Sequence, residues 1–281
     1  MVSSSDTSSL IAVALREDIG AGDVTSQLLI PAAARATAHI VAKAAGVIAG
    51  TGSMVQVFAT VSRAIRCRIR TADGGRVRPG QVIADLAGPA RAILTAERTA
   101  LNLLQHLSGV ATLTAHYVRA VRGTRAKILD TRKTLPGLRQ LEKAAVAAGG
   151  GTNHRMGLDD AVLIKTNHLR LLDGDVRLAI TLARRGARHL PIEVEVATWT
   201  DFLAAIEAKP DVVMLDNWTL SAIRRAVAHA ATRRSRPLVE VSGGVTFTNV
   251  RTIAKTGVDR ISVGRLTHSA PALDFALRVG P

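Results

Sequence analysis

AKILDTRKTLPGLRQLEKAAVAAGGGTNHRMGLDDAVLIKTNH, residues 126–168, is the stretch that decides the fold. Two short apolar runs, 126–129 and 161–164, read as buried parallel strands. Each ends in cations or donors: Asp130, Thr131, Arg132 and Lys133 after the first, Lys165, Thr166, Asn167 and His168 after the second. Between them, 138–148 has helical spacing and stops at Gly149, Gly150 and Gly151. A polar loop with Asn153, His154 and Arg155 follows. A strand–helix–strand unit belongs to an α/β sheet or barrel, where chemistry sits at the carboxyl ends of strands. So much positive charge at those ends implies a ligand with several negative charges.

Downstream the rhythm repeats. Apolar runs at 192–196, 212–215, 238–241 and 260–263 alternate with helical segments, giving six short strands and a parallel barrel or doubly wound sheet. The third strand carries Glu193 and Glu195, two apart and so on one face. The fourth ends in Asp216 and Asn217, the fifth in Ser242, Gly243 and Gly244, and the sixth in Gly264. Glycine loops let backbone N–H groups approach a phosphate, and barrels bind phosphates after their last strands. Carboxylates beside phosphates imply a hard divalent cation between them, because Mg2+ is held by one or two carboxylates plus substrate phosphates. The expectation is a Mg2+-bound diphosphate next to an anionic partner.

The first part of the chain has a different texture. Caps at Asp6–Ser9 and the stripe Leu10, Ile11, Ala14, Leu15 predict a short amphipathic helix. A strand is expected over 36–43, a glycine turn at 46–52, a helix over 54–61, and a strand over 67–70 with Arg66, Arg68 and Arg70 on one face. Further strands are expected over 81–86 and 90–94. Thr95 then caps a long helix that places Arg98 in its first turn, on the unfavourable side of the dipole, and Ser108–Gly109–Val110 interrupts that helix. The mixture predicts a small α+β domain over 1–110, a barrel over 111–269, and a tail, 270–281, that packs back on the first domain.

Composition narrows the function classes. The chain of 281 residues carries 37 lysines and arginines against 22 acidic residues, a net charge of +15. Nucleic acid is the obvious partner for such a charge, but only 2% of residues are aromatic, and no stacking platform or zinc-ligand spacing is present, so none is expected. Cys67 is the single cysteine, which excludes an internal disulfide. The window 44–61 is too polar and glycine-broken for a membrane span, and residues 1–6 lack the features of a secretory leader, so a cytoplasmic protein is expected.

Taken together, these motifs resemble the quinolinate phosphoribosyltransferase family, the carboxylating nicotinate-nucleotide pyrophosphorylases. The resemblance rests on ERTALN at 97–102, LSG at 107–109, DTRKTLPGLRQLEK from Asp130, GGGTNHRMGL from Gly149, LIKTNH from Leu163, EVEV from Glu193, MLDN from Met214, VSGGV from Val241 and VGRLTHS from Val263. It implies an N-terminal α+β open sandwich followed by an incomplete α/β barrel of about seven strands, assembled as a homodimer. It also implies transfer of phosphoribosyl from 5-phosphoribosyl 1-diphosphate to quinolinate with Mg2+ and loss of CO2. By resemblance, quinolinate meets Thr131, Arg132, His154, Arg155 and Lys165, with Arg98 reaching in from a partner subunit. Lys133, Glu195 and Asp216 become the catalytic groups around the diphosphate and metal, with Glu195 and Asp216 as metal carboxylates. Ser242, Gly243, Gly244 and Gly264 become the 5-phosphate cradle. Ala144 and Thr166 depart from the pattern, which favours tyrosine and an acid there, and both are expected to affect packing or the ligands' supports. Two other readings are a paralogue using another pyridine acid, such as nicotinate, and a non-catalytic anion-binding barrel.

Overall fold

The structure, a computed structural model, describes residues 4–187 and 189–280. The side chain of Asp6 and part of the leader reading, residues 1–3, lie outside the described residues. Two compact units make up the chain: one spans residues up to Ala115, Leu135–Gly150 and Leu266 onward, the other His116–Thr134 and Gly151–Arg265.

The first unit begins with α1 (Ser4–Ile19) and α2 (Val24–Leu29), and α1 is already under way ahead of all the expected caps. Next come β1 (Arg35–Ala42), β2 (Gly46–Val47), α3 (Thr51–Val61), β3 (Arg66–Ile69), β4 (Arg76–Val77), β5 (Val82–Pro89) and the long α4 (Ala90–Ala120). Two corrections concern α4. Residues 90–94 are not a strand: the helix follows Pro89 at once, and Ile93 opens an apolar stripe through Ala96, Ala100, Leu101, Leu104 and Leu107, all buried. A short apolar run cannot be told from the start of a buried helix by periodicity. Thr95 therefore lies inside the helix, where its hydroxyl donates to Arg91 O and Asp23 Oδ2, and Arg98 is not in the first turn. Nor do Ser108 and Gly109 break the helix. Ser108 Oγ accepts the N–H of Ala49 at 3.1 Å, and a Cβ at Gly109 would lie 2.2 Å from the carbonyl oxygen of Pro271. The glycine serves close backbone approach rather than helix termination.

Four strands form an antiparallel sheet, in which the final strand of the chain, named below, pairs with β1, then β5, then β3. Its apolar face, with Ile40, Ile83 and Leu86, packs with Met54 and Phe58 of α3 and with the stripe of α4 into one core.

The second unit is the parallel layer. Its strands are β6 (Lys127–Leu129), β7 (Val162–Ile164), β8 (Ile192–Val196), β9 (Val212–Asp216), β10 (Leu238–Ser242) and β11 (Arg260–Ser262). Helices interleave: α5 (Arg139–Ala148), which groups with the first unit, then α6 (Thr166–Arg170), α7 (Val176–Gly186), α8 (Trp199–Ala208), α9 (Leu220–Ala231), α10 (Val250–Ala254) and α11 (Arg265–His268). The last strand, β12 (Phe275–Val279), pairs Phe275 with Ala42 and Val279 with Ala38 of β1.

Spatial order in the parallel sheet is β6-β11-β10-β9-β8-β7. Sequence order is thus kept around the sheet, and the last strand closes onto the first, as in a barrel. Closure stops between β6 and β7, where an isolated bridge from Leu129 to Thr152 takes the place of a further strand. The barrel is therefore incomplete, with six strands plus that bridge standing where about seven were expected. One face of the sheet carries Val194, Val196, Val213, Leu215, Val239, Val241 and Ile261, all buried under the helices. Register puts a different set on the other face: Lys127, Arg260, Glu240, Met214 and Glu195 stand directly opposite one another in turn. Barrel interiors are normally packed with branched apolar side chains. A row this charged marks a site rather than a scaffold. No helix among the described residues is long and apolar enough to cross a membrane.

Candidate active site

Side chains at the carboxyl ends of β6 to β11 are set by the pleat. After β6, Asp130 is fully buried, and Lys133 N–H donates to Thr131 Oγ1 at 3.0 Å, folding the turn tightly. Between them Arg132 carries a buried Nε that has no hydrogen-bond partner among the described residues. A buried donor without an acceptor is costly, so this one suits a ligand oxygen. Arg155 lies near enough to feel the Arg132 charge. Burial first and Arg132 second hold its pKa below the usual arginine value. Glu193 and Asp160 offset part of that repulsion, and the two neighbouring guanidinium groups are suited to an added anion.

After β7, Lys165 is exposed at the start of α6. The next residue, Thr166, donates both its hydroxyl (2.7 Å) and its N–H (3.3 Å) to Glu195 Oε1 on β8. Together they line a cavity of about 380 Å3 that Leu169, Arg170, Asp173 and Asp201 also border. Both bonds use Oε1.

At the end of β9, Asp216 Oδ2 accepts from Asn217 Nδ2 at 2.9 Å. Asn217 has a positive φ of 58° and donates its N–H to Ser242 O of β10 at 3.0 Å. Its side chain lies against the next loop: a Cβ at Gly243 would sit 2.3 Å from Asn217 Oδ1. Gly243 also has φ of 80°, so glycine is required there twice over. Asn249 Nδ2 holds Gly244 O at 2.9 Å. Asn249 was not singled out from sequence, and Asn217 entered only as the residue that follows Asp216. The signal available for Asn217 was its place after a strand-end carboxylate and opposite a Gly-Gly loop.

Metal-binding capacity follows from the donor set. Glu195 and Asp216 are hard oxygen donors at neighbouring strand ends, each steadied by a hydrogen bond to one carboxylate oxygen. Mg2+ prefers such a pair, completed by water and phosphate oxygens. The residues therefore fit the ion.

Glu193 corrects an expectation. It shares a face with Glu195 but is not a rim carboxylate: it is buried and its Oε2 lies 3.0 Å from His154 Nε2. Fully buried Glu240 of β10 approaches the same nitrogen at 3.5 Å. Burial alone would lower the pKa of His154, but Glu193 and Glu240 raise it to about 10. Burial and the nearby Glu240 push the Glu193 carboxyl up. Glu240 also escaped the sequence reading, although a lone acid in an apolar strand repeats the pattern of β8. In the first unit, Arg98 is exposed on α4, beside Glu97, whose carboxyl is raised by burial while Arg98 opposes that rise.

Comparison with known proteins matches this geometry to a family. A family model described as quinolinate phosphoribosyl transferase, C-terminal domain, matches residues 110–278, and its N-terminal counterpart matches residues 23–108. The nicotinate-nucleotide pyrophosphorylase [carboxylating] of Mycobacterium leprae is 45% identical over 267 residues, covering 94% of each chain. A probable enzyme of the same name from Bacillus subtilis is 43% identical over 264 residues, covering 94% of this chain and 90% of its own. Among solved structures, the nicotinate-nucleotide pyrophosphorylase from Francisella tularensis superposes with a TM-score of 0.93 at 38% identity, covering 100% of this chain and 98% of its own.

Proposed function

The chain belongs to the quinolinate phosphoribosyl transferase family, and from that membership we infer that it transfers phosphoribosyl from 5-phosphoribosyl 1-diphosphate to quinolinate. The products are nicotinate mononucleotide, diphosphate and CO2, and the reaction serves NAD biosynthesis. The observation that carries the assignment of roles is the Arg132–Arg155 pair, with its buried unpartnered Nε. Quinolinate has two adjacent carboxylates, and a one-carboxylate acceptor would leave part of this charge unmatched.

In this reading Arg132, Arg155 and Lys165 bind the acceptor carboxylates, with Thr131 and His154 beside them. Arg98 supplies a further cation from the partner subunit of a homodimer. Lys133 and the Ser242, Gly243, Gly244 and Gly264 backbone hold the phosphoribosyl donor. Glu195 and Asp216 would hold Mg2+, which would neutralise the departing diphosphate. The same two carboxylates stabilise positive charge that develops at ribose C1 as the bond to diphosphate lengthens. The pyridine nitrogen forms the new bond to C1. The bond to the 2-carboxylate then breaks, CO2 departs, the electron pair stays on C2 beside the cationic nitrogen, and a proton from water replaces the carboxylate. Positioning of two bound substrates supplies much of the acceleration. No strong general base is required. The chain acts in the cytoplasm.

The test is substrate-specific. Arg132→Ala and Lys165→Ala should each weaken quinolinate binding by about 2–4 kcal/mol, as truncation of a charged group paired with a bound anion does. Mg2+ removal should abolish turnover. Unchanged quinolinate affinity in both variants would overturn the pocket assignment.

A further inference from the structure

His154 is engaged on both edges of its ring by the protein itself. Its backbone N–H donates to Asp130 Oδ1 at 2.8 Å, and its Nδ1 accepts the backbone N–H of Arg155 at 2.8 Å. The opposite edge, Nε2, faces Glu193 and Glu240 at 3.0 and 3.5 Å. Neither oxygen of fully buried Glu240 has a hydrogen-bond partner among the described residues, and its nearest cation is Arg260, with Nη1 4.0 Å from Oε2.

Such a trio invites a metal, since one ligand atom from each residue lies within 4.8 Å of the others. The Arg155 N–H decides against it. A histidine that binds a metal through Nε2 carries its hydrogen on Nδ1. Here Nδ1 accepts, so the hydrogen of the neutral ring is on Nε2, the edge that lies beside the two carboxylates.

We propose that Glu193 and Glu240 are positioning residues: they hold the Nε2 edge of His154, whose Nδ1 edge holds the Arg155 backbone, and so they fix the Arg155 guanidinium for the acceptor. This rests on the quinolinate reading above. Arg155 Nη1 is tied to the carbonyl of Ala161 at 3.1 Å, so the guanidinium is anchored on one side and backbone-fixed on the other. The 151–155 segment stands in the gap between β6 and β7, where the single bridge at Thr152 gives it little ladder support. The carboxylates of β8 and β10 replace that support from inside the barrel. His154 acts through Arg155 and need not touch the substrate.

Three measurements on the full-length Mg2+-loaded enzyme test this. In Glu240→Gln and Glu193→Gln, the KM for quinolinate should rise about tenfold or more, because displacement of a binding group by an ångström carries such penalties. The KM for 5-phosphoribosyl 1-diphosphate and kcat should change by less than about threefold, the pattern of lost uniform binding. Glu193→Ala should be worse than Glu193→Gln, which retains a polar partner for Nε2. Equal changes in both KM values, or an unchanged quinolinate KM, would overturn the proposal. In 15N-histidine spectra of the unaltered enzyme titrated until the ring is neutral, His154 should carry hydrogen on Nε2 and none on Nδ1; the reverse tautomer would overturn it whether or not the variants fold. Zn2+ or Mn2+ should raise the melting temperature of unaltered enzyme and Glu240→Gln equally; a rise lost in Glu240→Gln would make the trio a metal site. If unaltered enzyme fails to use quinolinate, the functional reading fails, while the spectra and melting curves still judge the trio.

Discussion

Thr166 holds one oxygen of Glu195 twice, through a 2.7 Å bond from its hydroxyl and a 3.3 Å bond from its N–H. An acid at 166 would repel that carboxylate unless a cation lay between them. Thr166→Val should cost about 1.5–3 kcal/mol of Glu195 support, the worth of a hydrogen bond to a charged group. Its effect should fall on Mg2+ and 5-phosphoribosyl 1-diphosphate affinity and spare quinolinate. Titration calorimetry with each substrate checks this, and selective loss of quinolinate binding would contradict it.

Gly243→Ala should be severe for two independent reasons. The backbone sits at φ of 80°, and the added Cβ would collide with Asn217 Oδ1 at 2.3 Å. Strain of about 1–3 kcal/mol is expected. The loop should shift, and the KM for 5-phosphoribosyl 1-diphosphate should rise at least about tenfold. Steady-state kinetics with each substrate varied provides the check.

Much of this was legible in the sequence. Strand β8 was read to its ends, because IEVEV alternates strictly between helix-facing valines and interior acids. Glycine loops and cationic strand ends were equally visible, being local patterns. Other features were not, for definite reasons. The start of α4 was hidden because its first apolar residues fit a strand as well as a helix. Gly109 looked like a break because its reason, the backbone of Pro271, lies far along the chain. Glu240 gains meaning only beside His154 and Glu193, which sit on other elements.

Asp259 is an example of such a distant partnership. It accepts two bonds from Arg236 at 2.8 Å and the N–H of Val239 at 2.9 Å, and Arg125 lies 2.6 Å away. Burial opposes its charge, but these partners hold its carboxyl below the usual range. Asp259→Ala should cost about 3 kcal/mol, since it strands a guanidinium at the foot of β10 and β11. A depressed carboxylate stabilises above its unfolded pKa and loses that effect as pH falls through the folded one. Urea melts from pH 6 to 2 should therefore fall more steeply for the unaltered protein than for Asp259→Ala.

The His154 trio has the opposite sign. A histidine raised to about 10 stabilises fully below its unfolded value, and that stability drains away as pH climbs towards 10. Glu193, also raised, pulls in the same direction. Glu240, Arg260, Asp130 and Arg155 are the other charged or titratable groups that face His154 and Glu193. Denaturation between pH 7 and 10 should show a decline that His154→Gln flattens. A decline of equal slope in both proteins would contradict it.

Subunit sharing predicts complementation. Arg98→Ala and Lys165→Ala homodimers should each be impaired. Mixed dimers should regain part of the activity, because one of the two sites then carries both native residues. Absence of recovery in verified heterodimers would argue that each site uses its own Arg98.

The most direct measurement is nucleotide formation by the purified protein with 5-phosphoribosyl 1-diphosphate and Mg2+, offering quinolinate or nicotinate as acceptor and recording CO2. Nicotinate mononucleotide with stoichiometric CO2 from quinolinate, none without Mg2+, and no turnover of nicotinate is the predicted result. Product from nicotinate alone, or none from either acceptor in folded protein, would contradict the account.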